Sequence, residues 1–190
     1  MRTPTSWPHD LSLIGPGVAG SLRDASAGPP LQQPRRRRED RVVSTGALVL
    51  VCSHLVANVA MVGIIWFVQV VHYPLFSQVG EHHFVAYEST NTRLTSFVVG
   101  PPMAVEGVSV LVLLAAPPRG VGLWLPLVGA ALLAVVHAST VFLQVPAHSL
   151  LSRAADPAAM RRLVRTNWIR TIGWSARGVV AVAVLVAAIR

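Results

Sequence analysis

Residues 45–71 read TGALVLVCSHLVANVAMVGIIWFVQVV, and no charged residue occurs between Arg41 and Glu81. Twenty apolar residues in a helix rising 1.5 Å each cover the roughly 30 Å hydrocarbon core of a bilayer. This stretch is long enough to cross, and its reading sets the class of the whole chain. A second uncharged run lies between Arg119 and Arg153, and shorter ones flank Glu106 and follow Arg177. Four spans are therefore expected, near 45–71, 94–116, 121–145 and 171–189. The fold class is all-α, a four-transmembrane-helix bundle within residues 44–190.

Composition agrees. Over 190 residues, 53 % are apolar and 13 % charged, which is too greasy for an ordinary soluble domain. The formal charge of +8 comes from arginines alone, since lysine is absent. These arginines flank the apolar runs, where lipid headgroups and topology account for them. No nucleic-acid-binding module is visible, so the expected partner is the lipid bilayer and not nucleic acid. A homo-oligomer or a larger membrane partner is compatible with the composition. Cys52 is the single cysteine, so no intrachain disulfide forms.

Residues 1–43 are rich in Pro, Gly and Ser and read as a disordered basic tail. Arg35 to Arg38 stand before the first span as a cytoplasmic anchor. By arginine count the two sides nearly tie, seven against six. The tight cluster points to a multi-pass protein of the cell membrane with both termini cytoplasmic. The connections 72–93 and 146–170 then face outward, each with an amphipathic helix leading into the next span, and Asp156-Pro157 caps the second of them. Pro74, Pro101, Pro102 and Pro146 are expected to end or kink helices.

The first span carries His54, Asn58, Gln69 and His72 within an arc of about 60° at 100° per residue. The third carries His137, Thr140, Gln144 and His148 within about 80°. Polar groups are costly in hydrocarbon, so both stripes should face the bundle interior. On the fourth span Asn167, Arg170, Trp174 and Arg177 share a face, and His83, Tyr87 and Asn91 recur every fourth residue before the second. Gln69 to Gln144, Asn91 to Asn167 and Arg93 to Arg170 are offset by 75 to 77 residues, which suggests a duplicated two-helix hairpin. His54 lies about 27 Å along its helix from His72, so two polar centres are expected. One is a mouth of His72, His148, Asn91, Asn167 and Arg170, with Gln69, Gln144 and Tyr87 beside it. The other is a deep group in which Glu106 and Arg177 form a buried ion pair near His54.

The layout resembles a four-helix membrane family that includes the fungal anthrone oxygenases and many bacterial proteins. The matching elements are Pro74 after the first span, Asn91 before the second and Pro102 within it. Pro146, His148 and Leu151 follow the third span, and Trp168, Arg170 and Thr171 enter the fourth. His148 stands where the family more often has Asn, and the Trp-to-Arg spacing is shorter. His72-Tyr73-Pro74 and Glu106 mark a separate branch. The resemblance covers about residues 45–190. It implies oxidation of a polycyclic aromatic by oxygen without an evident bound cofactor.

Three functions follow as expectations. The first is an oxidoreductase acting on a hydrophobic aromatic or quinone-like substrate. In it Trp168 and Trp174 stack the ring, His72 or His148 takes a proton, and Arg170 stabilises an enolate or phenolate. The second is a non-enzymatic carrier or accessory subunit whose polar stripes are interhelical contacts. The third is a metal or haem protein, with His72, His83 and His148 as metal ligands or His72 with His148 on a haem. No tight motif such as His-x-x-x-His occurs, so no cofactor is assigned.

Overall fold

The computed structural model describes residues 43–190. The basic tail reading and the Arg35–Arg38 anchor lie outside the described residues. Four helices are long and apolar enough to cross a membrane: α1 (Thr45–Gln78), α2 (Glu81–Ala115), α3 (Trp124–Leu151) and α4 (Pro157–Ile189). No strand occurs among the described residues. The helices form a bundle in which α1 packs on α2 and α4, and α3 packs on α4 and more lightly on α2.

Each start has a local cause. The Ser44 hydroxyl accepts from the Ala47 amide at 3.2 Å, capping α1. Asp156 accepts from the Ala158 amide at 2.8 Å, and Pro157 supplies the fixed first turn of α4. Both caps satisfy amides that the helix cannot reach.

The helices run further than the uncharged stretches suggested. α1 continues to Gln78, and α2 begins at Glu81 instead of near residue 94. α3 continues to Leu151, and α4 begins at Pro157 instead of near 171. The expected connections 72–93 and 146–170 shrink to Val79-Gly80 and to residues 152–156. The amphipathic lead-ins belong to the same helices as the spans. A helix of 35 residues is about 52 Å long, so α2 extends well past a hydrocarbon core. Pro101 and Pro102 do not end α2, which passes through both.

α1 and α3 each contain a π turn, Val68–His72 and Thr140–Gln144. In each, the amide just before a proline reaches back five residues, Tyr73 to the Val68 carbonyl and Val145 to the Thr140 carbonyl. A proline ring clashes with the carbonyl four residues earlier and has no amide of its own. The widened turn accommodates both defects, so Pro74 and Pro146 sit within continuing helices. The two π turns begin 72 residues apart, whereas the glutamines that suggested a repeat are 75 apart. The backbone feature and the side-chain echo therefore follow different registers.

Three apolar clusters fill the bundle. One at the mouth end joins Tyr73, Phe76, Phe84, Leu151 and Leu163. A central one joins Met61, Ile65, Val110, Val136 and Trp174. One at the far end joins Val51, Leu113, Leu125 and Val184. Large apolar side chains such as Phe97, Phe142 and Val179 point outward, as lipid contact requires.

Candidate functional site

Helix geometry brings three neighbouring polar positions on α2 to one place at the mouth. Glu88, Asn91 and Thr92 are separated by three and four residues, so they lie on one face. Glu88 is fully buried. Its carboxylate accepts from Asn91 Nδ2 at 3.2 Å and from the Thr92 hydroxyl at 3.2 Å. Across the bundle it meets His148 Nδ1 on α3 in a close charge-assisted contact. His148 Nε2 in turn lies 3.0 Å from the Tyr73 hydroxyl on α1.

A second branch leaves the same carboxylate. His72 Nε2 is 2.9 Å from Asn91 Oδ1, which also accepts from the Thr95 hydroxyl at 3.1 Å. The chemistry of the donors fixes the orientation of every group. A carboxylate accepts only, so it holds the NH2 end of Asn91 toward itself and turns Oδ1 toward His72. His72 must then carry its proton on Nε2, which leaves Nδ1 with a lone pair. By the same argument Nδ1–H of His148 donates to Glu88, and Nε2 accepts from the Tyr73 hydroxyl. If Nε2 takes a proton, the contact reverses, and Nε2–H donates to the Tyr73 oxygen.

These groups border a cavity of about 230 Å³. His72, Tyr73, Asn91, Thr140, Gln144, His148 and Arg170 give it a polar side. Met61, Ile64, Ile65, Val68 and Val99 give it an apolar one. Arg170 Nη1 donates to Asn167 Oδ1 at 3.2 Å, while its Nε has no partner among the described residues. Gln144 Nε2 donates to the Thr166 hydroxyl at 2.9 Å, and its Oε1 also lacks a partner among them. Both atoms are closed off by the packing around them, and they share this state with Asn58 Oδ1, Glu106 Oε1 and Arg177 Nε at the deep centre.

Of the sequence-derived candidates, His72, His148, Asn91, Arg170 and Gln144 come together here. Gln69 and Asn167 lie behind them and do not line the cavity. Gln69 Oε1 accepts from Asn167 Nδ2 at 2.9 Å and from Thr171 at 3.4 Å, and its Nε2 donates to the Val164 carbonyl at 3.3 Å. This knot ties α1 to α4 and, through Asn167 Oδ1, holds the guanidinium group of Arg170.

Three aromatic assignments need correction. Trp168 is 42 % exposed and packs edge-on against Trp66 on the outer surface, with ring centroids 5.8 Å apart. It sits two residues before Arg170, which turns it about 160° away from the cavity face. Trp174 is wholly buried in the central apolar cluster and does not reach the cavity. Tyr87 is 37 % exposed and packs edge-on against Phe76. His83 is exposed too, so the His72, His83 and His148 metal set is not assembled. Among the described residues no group of three His, Cys, Asp or Glu side chains stands at metal-binding spacing. His137 turns from the stripe and bonds its own helix at the Leu133 carbonyl, 2.9 Å away.

Sequence reasoning missed Glu88. The four-residue spacing of His83, Tyr87 and Asn91 marks an adjacent face of α2. The apolar Phe84 four residues before Glu88 was the available signal, because Phe84, Glu88 and Asn91 mark the buried face.

The deep centre lies 18 residues along α2 from Glu88, about 27 Å away. There Glu106 pairs with Arg177 of α4, which also donates to the Gly129 carbonyl of α3. Asn58 Nδ2 donates to Glu106 Oε2 at 3.1 Å, and His54 Nδ1 is 2.8 Å from the Ser109 hydroxyl. All four helices meet at this group, and every one of these side chains is buried. Lone ions would not tolerate that position, whereas a paired and hydrogen-bonded set does.

Comparison with known proteins finds no matching family, no matching curated protein and no matching solved structure.

Proposed function

We propose that this chain is an enzyme of the cell membrane that removes a proton from a small, hydrophobic aromatic ketone or phenol held in the mouth cavity. The observation that carries the proposal is the branching of one buried carboxylate, Glu88, to two histidines that border the same half-apolar cavity. A lone-pair nitrogen held in a fixed tautomer is suited to general-base work. His72 Nδ1 is the base in this scheme. Arg170 lines the same cavity, and its guanidinium charge stabilises the oxyanion that develops as the proton leaves. Once His148 has taken a proton from water on Nε2, its imidazolium is held by the Glu88 carboxylate; Tyr73 then hands its hydroxyl proton to the oxygen side of the substrate and regains one from His148 Nε2.

The resemblance to the anthrone oxygenases extends this to redox chemistry. An anthrone carbanion formed at the ring methylene reacts with dioxygen. The methylene carbon gains one oxygen atom and loses two hydrogens, and the second oxygen leaves as water. The products are one quinone and one water for each anthrone and dioxygen consumed. The substrate partitions into the bilayer. The arginine cluster at 35–38 supports cytoplasmic termini, which puts the mouth on the outer side.

The test is substrate-dependent oxygen uptake by purified protein with a simple anthrone, compared with His72→Ala and His148→Ala. Both variants should lose activity; His72→Ala should keep the thermal transition of the parent, whereas His148→Ala should stay folded with a lowered one, because it leaves the buried Glu88 carboxylate without its partner across the bundle. Folded variants with full activity would rule out the mouth-histidine scheme. Tight ligand binding without oxygen uptake or product would assign the cavity to a carrier instead.

A further inference from the structure

A second concavity lies on the outer surface at the mouth end, with a volume of about 430 Å³. It runs between the end of α1 and the first turns of α4. Its floor is apolar, from Phe76, Met160 and Val164, and Trp168 closes one end. Arg161, Val164, Arg165 and Trp168 follow the 3-4 spacing of one helix face, so all four look into the same groove. Arg161 and Arg165 are exposed, and among the described residues neither pairs with a carboxylate.

The groove is polarised along α4. The arginine end is furthest from the apolar half of the helix, and Trp168 stands about 10 Å nearer to it. Charge at the outer end, an apolar floor and an aromatic at the inner end match the order of groups in a phospholipid. Two unpaired guanidinium groups favour a net negative headgroup over a zwitterionic one. Tyr73 forms part of the wall of this groove and of the mouth cavity, so the two share one residue.

We infer that this groove is a binding site for one anionic phospholipid, with its phosphate between Arg161 and Arg165 and an acyl chain passing over Val164 and Trp168. The inference is independent of any chemistry in the mouth cavity.

The test is native mass spectrometry of the full chain in detergent, with phosphatidylglycerol or phosphatidylcholine of identical acyl chains. One phosphatidylglycerol per chain should be retained in preference to phosphatidylcholine. Arg161→Gln with Arg165→Gln should weaken that retention by roughly thirtyfold, taking each arginine's attraction to anionic lipid together. Arg161→Lys with Arg165→Lys should keep most of it, and Arg119→Gln, in the loop after α2, should keep all of it. Val164→Trp fills the floor with both arginines intact and should expel the lipid. Equal retention of the two lipids, or an unchanged glutamine double variant, would overturn the inference. So would displacement of the lipid by excess inorganic phosphate, or a second copy of the chain in its place.

Discussion

Glu88 and His148 stand 60 residues apart in the chain and meet side chain to side chain across the α2–α3 face of the bundle. The carboxylate is fully buried, while the imidazole keeps partial contact with the cavity. One partner is therefore fixed by packing, and the other can reach a bound molecule.

Glu88→Gln tests this relationship with little change of shape. The amide would present either its NH2 group to a histidine N–H or a neutral oxygen where charge was supplied. Oxygen uptake with an anthrone should fall by about a hundredfold, in the range typical for loss of a general acid or base function. Tyr73→Phe should give a smaller loss, because His72 remains intact. Uptake by Glu88→Gln equal to the parent would remove Glu88 from the proposed chemistry.

The deep pair is open to a double-mutant cycle. Glu106→Gln or Arg177→Gln alone leaves one buried charge without its partner and should destabilise the bundle by about 3–5 kcal/mol. The double substitution should recover much of that loss. Denaturation in mixed micelles reads all four forms. Strict additivity of the two single effects would show that the ions do not depend on each other.

Gly173 of α4 faces Val136 of α3 with no space for a side chain between them. A Cβ there would stand 2.6 Å from Cγ2 of Val136, which is itself fully buried. Gly173→Ala should cost about 1–3 kcal/mol, as overpacking does. Val136→Ala in the same chain should relieve most of the clash. A neutral Gly173→Ala by thermal denaturation would mean that the two helices slide apart freely.

The two tryptophans of α4 should behave oppositely. Trp174→Ala empties a wholly buried site and should destabilise by about 3–5 kcal/mol. Trp168→Ala on the outer surface should cost less than about 1 kcal/mol and leave oxygen uptake unchanged. A loss of uptake in folded Trp168→Ala would return that ring to the substrate site.

Which parts were readable from sequence has a physical explanation. Uncharged runs report the hydrocarbon thickness, so the number of helices was legible, but they say nothing of helix that continues beyond it. That is why α2 and α4 each began 13 or 14 residues before the expected span. His72, Asn91, His148 and Arg170 were legible because polar groups near a membrane core must find an interior. The Glu106–Arg177 pair was legible for the same reason. Glu88 lies outside the uncharged runs, where a carboxylate is unremarkable, and only its contact with a distant helix singles it out. Trp168 erred the other way, since an aromatic next to polar residues in sequence can point to the opposite side of the helix.

The π turns give the mouth an unusual relation to chain length. A π turn accommodates one residue more than the α-helix would, and each residue turns the helix by about 100°. Tyr73 and His148 both lie on the mouth side of such a turn. The wide turn absorbs that extra residue within a single rotation, so the helix beyond it keeps the face it would have without the insertion. Deleting one residue there, for example Val70 or Val141, would leave both the deep centre and the mouth on their faces but would press Pro74 or Pro146 into a regular helix, where its ring meets the carbonyl four residues earlier. The extra residue and its proline are therefore a coupled pair, and Pro74→Ala together with loss of Val70 is the change that would return α1 to a plain helix with its mouth residues still aimed at the cavity.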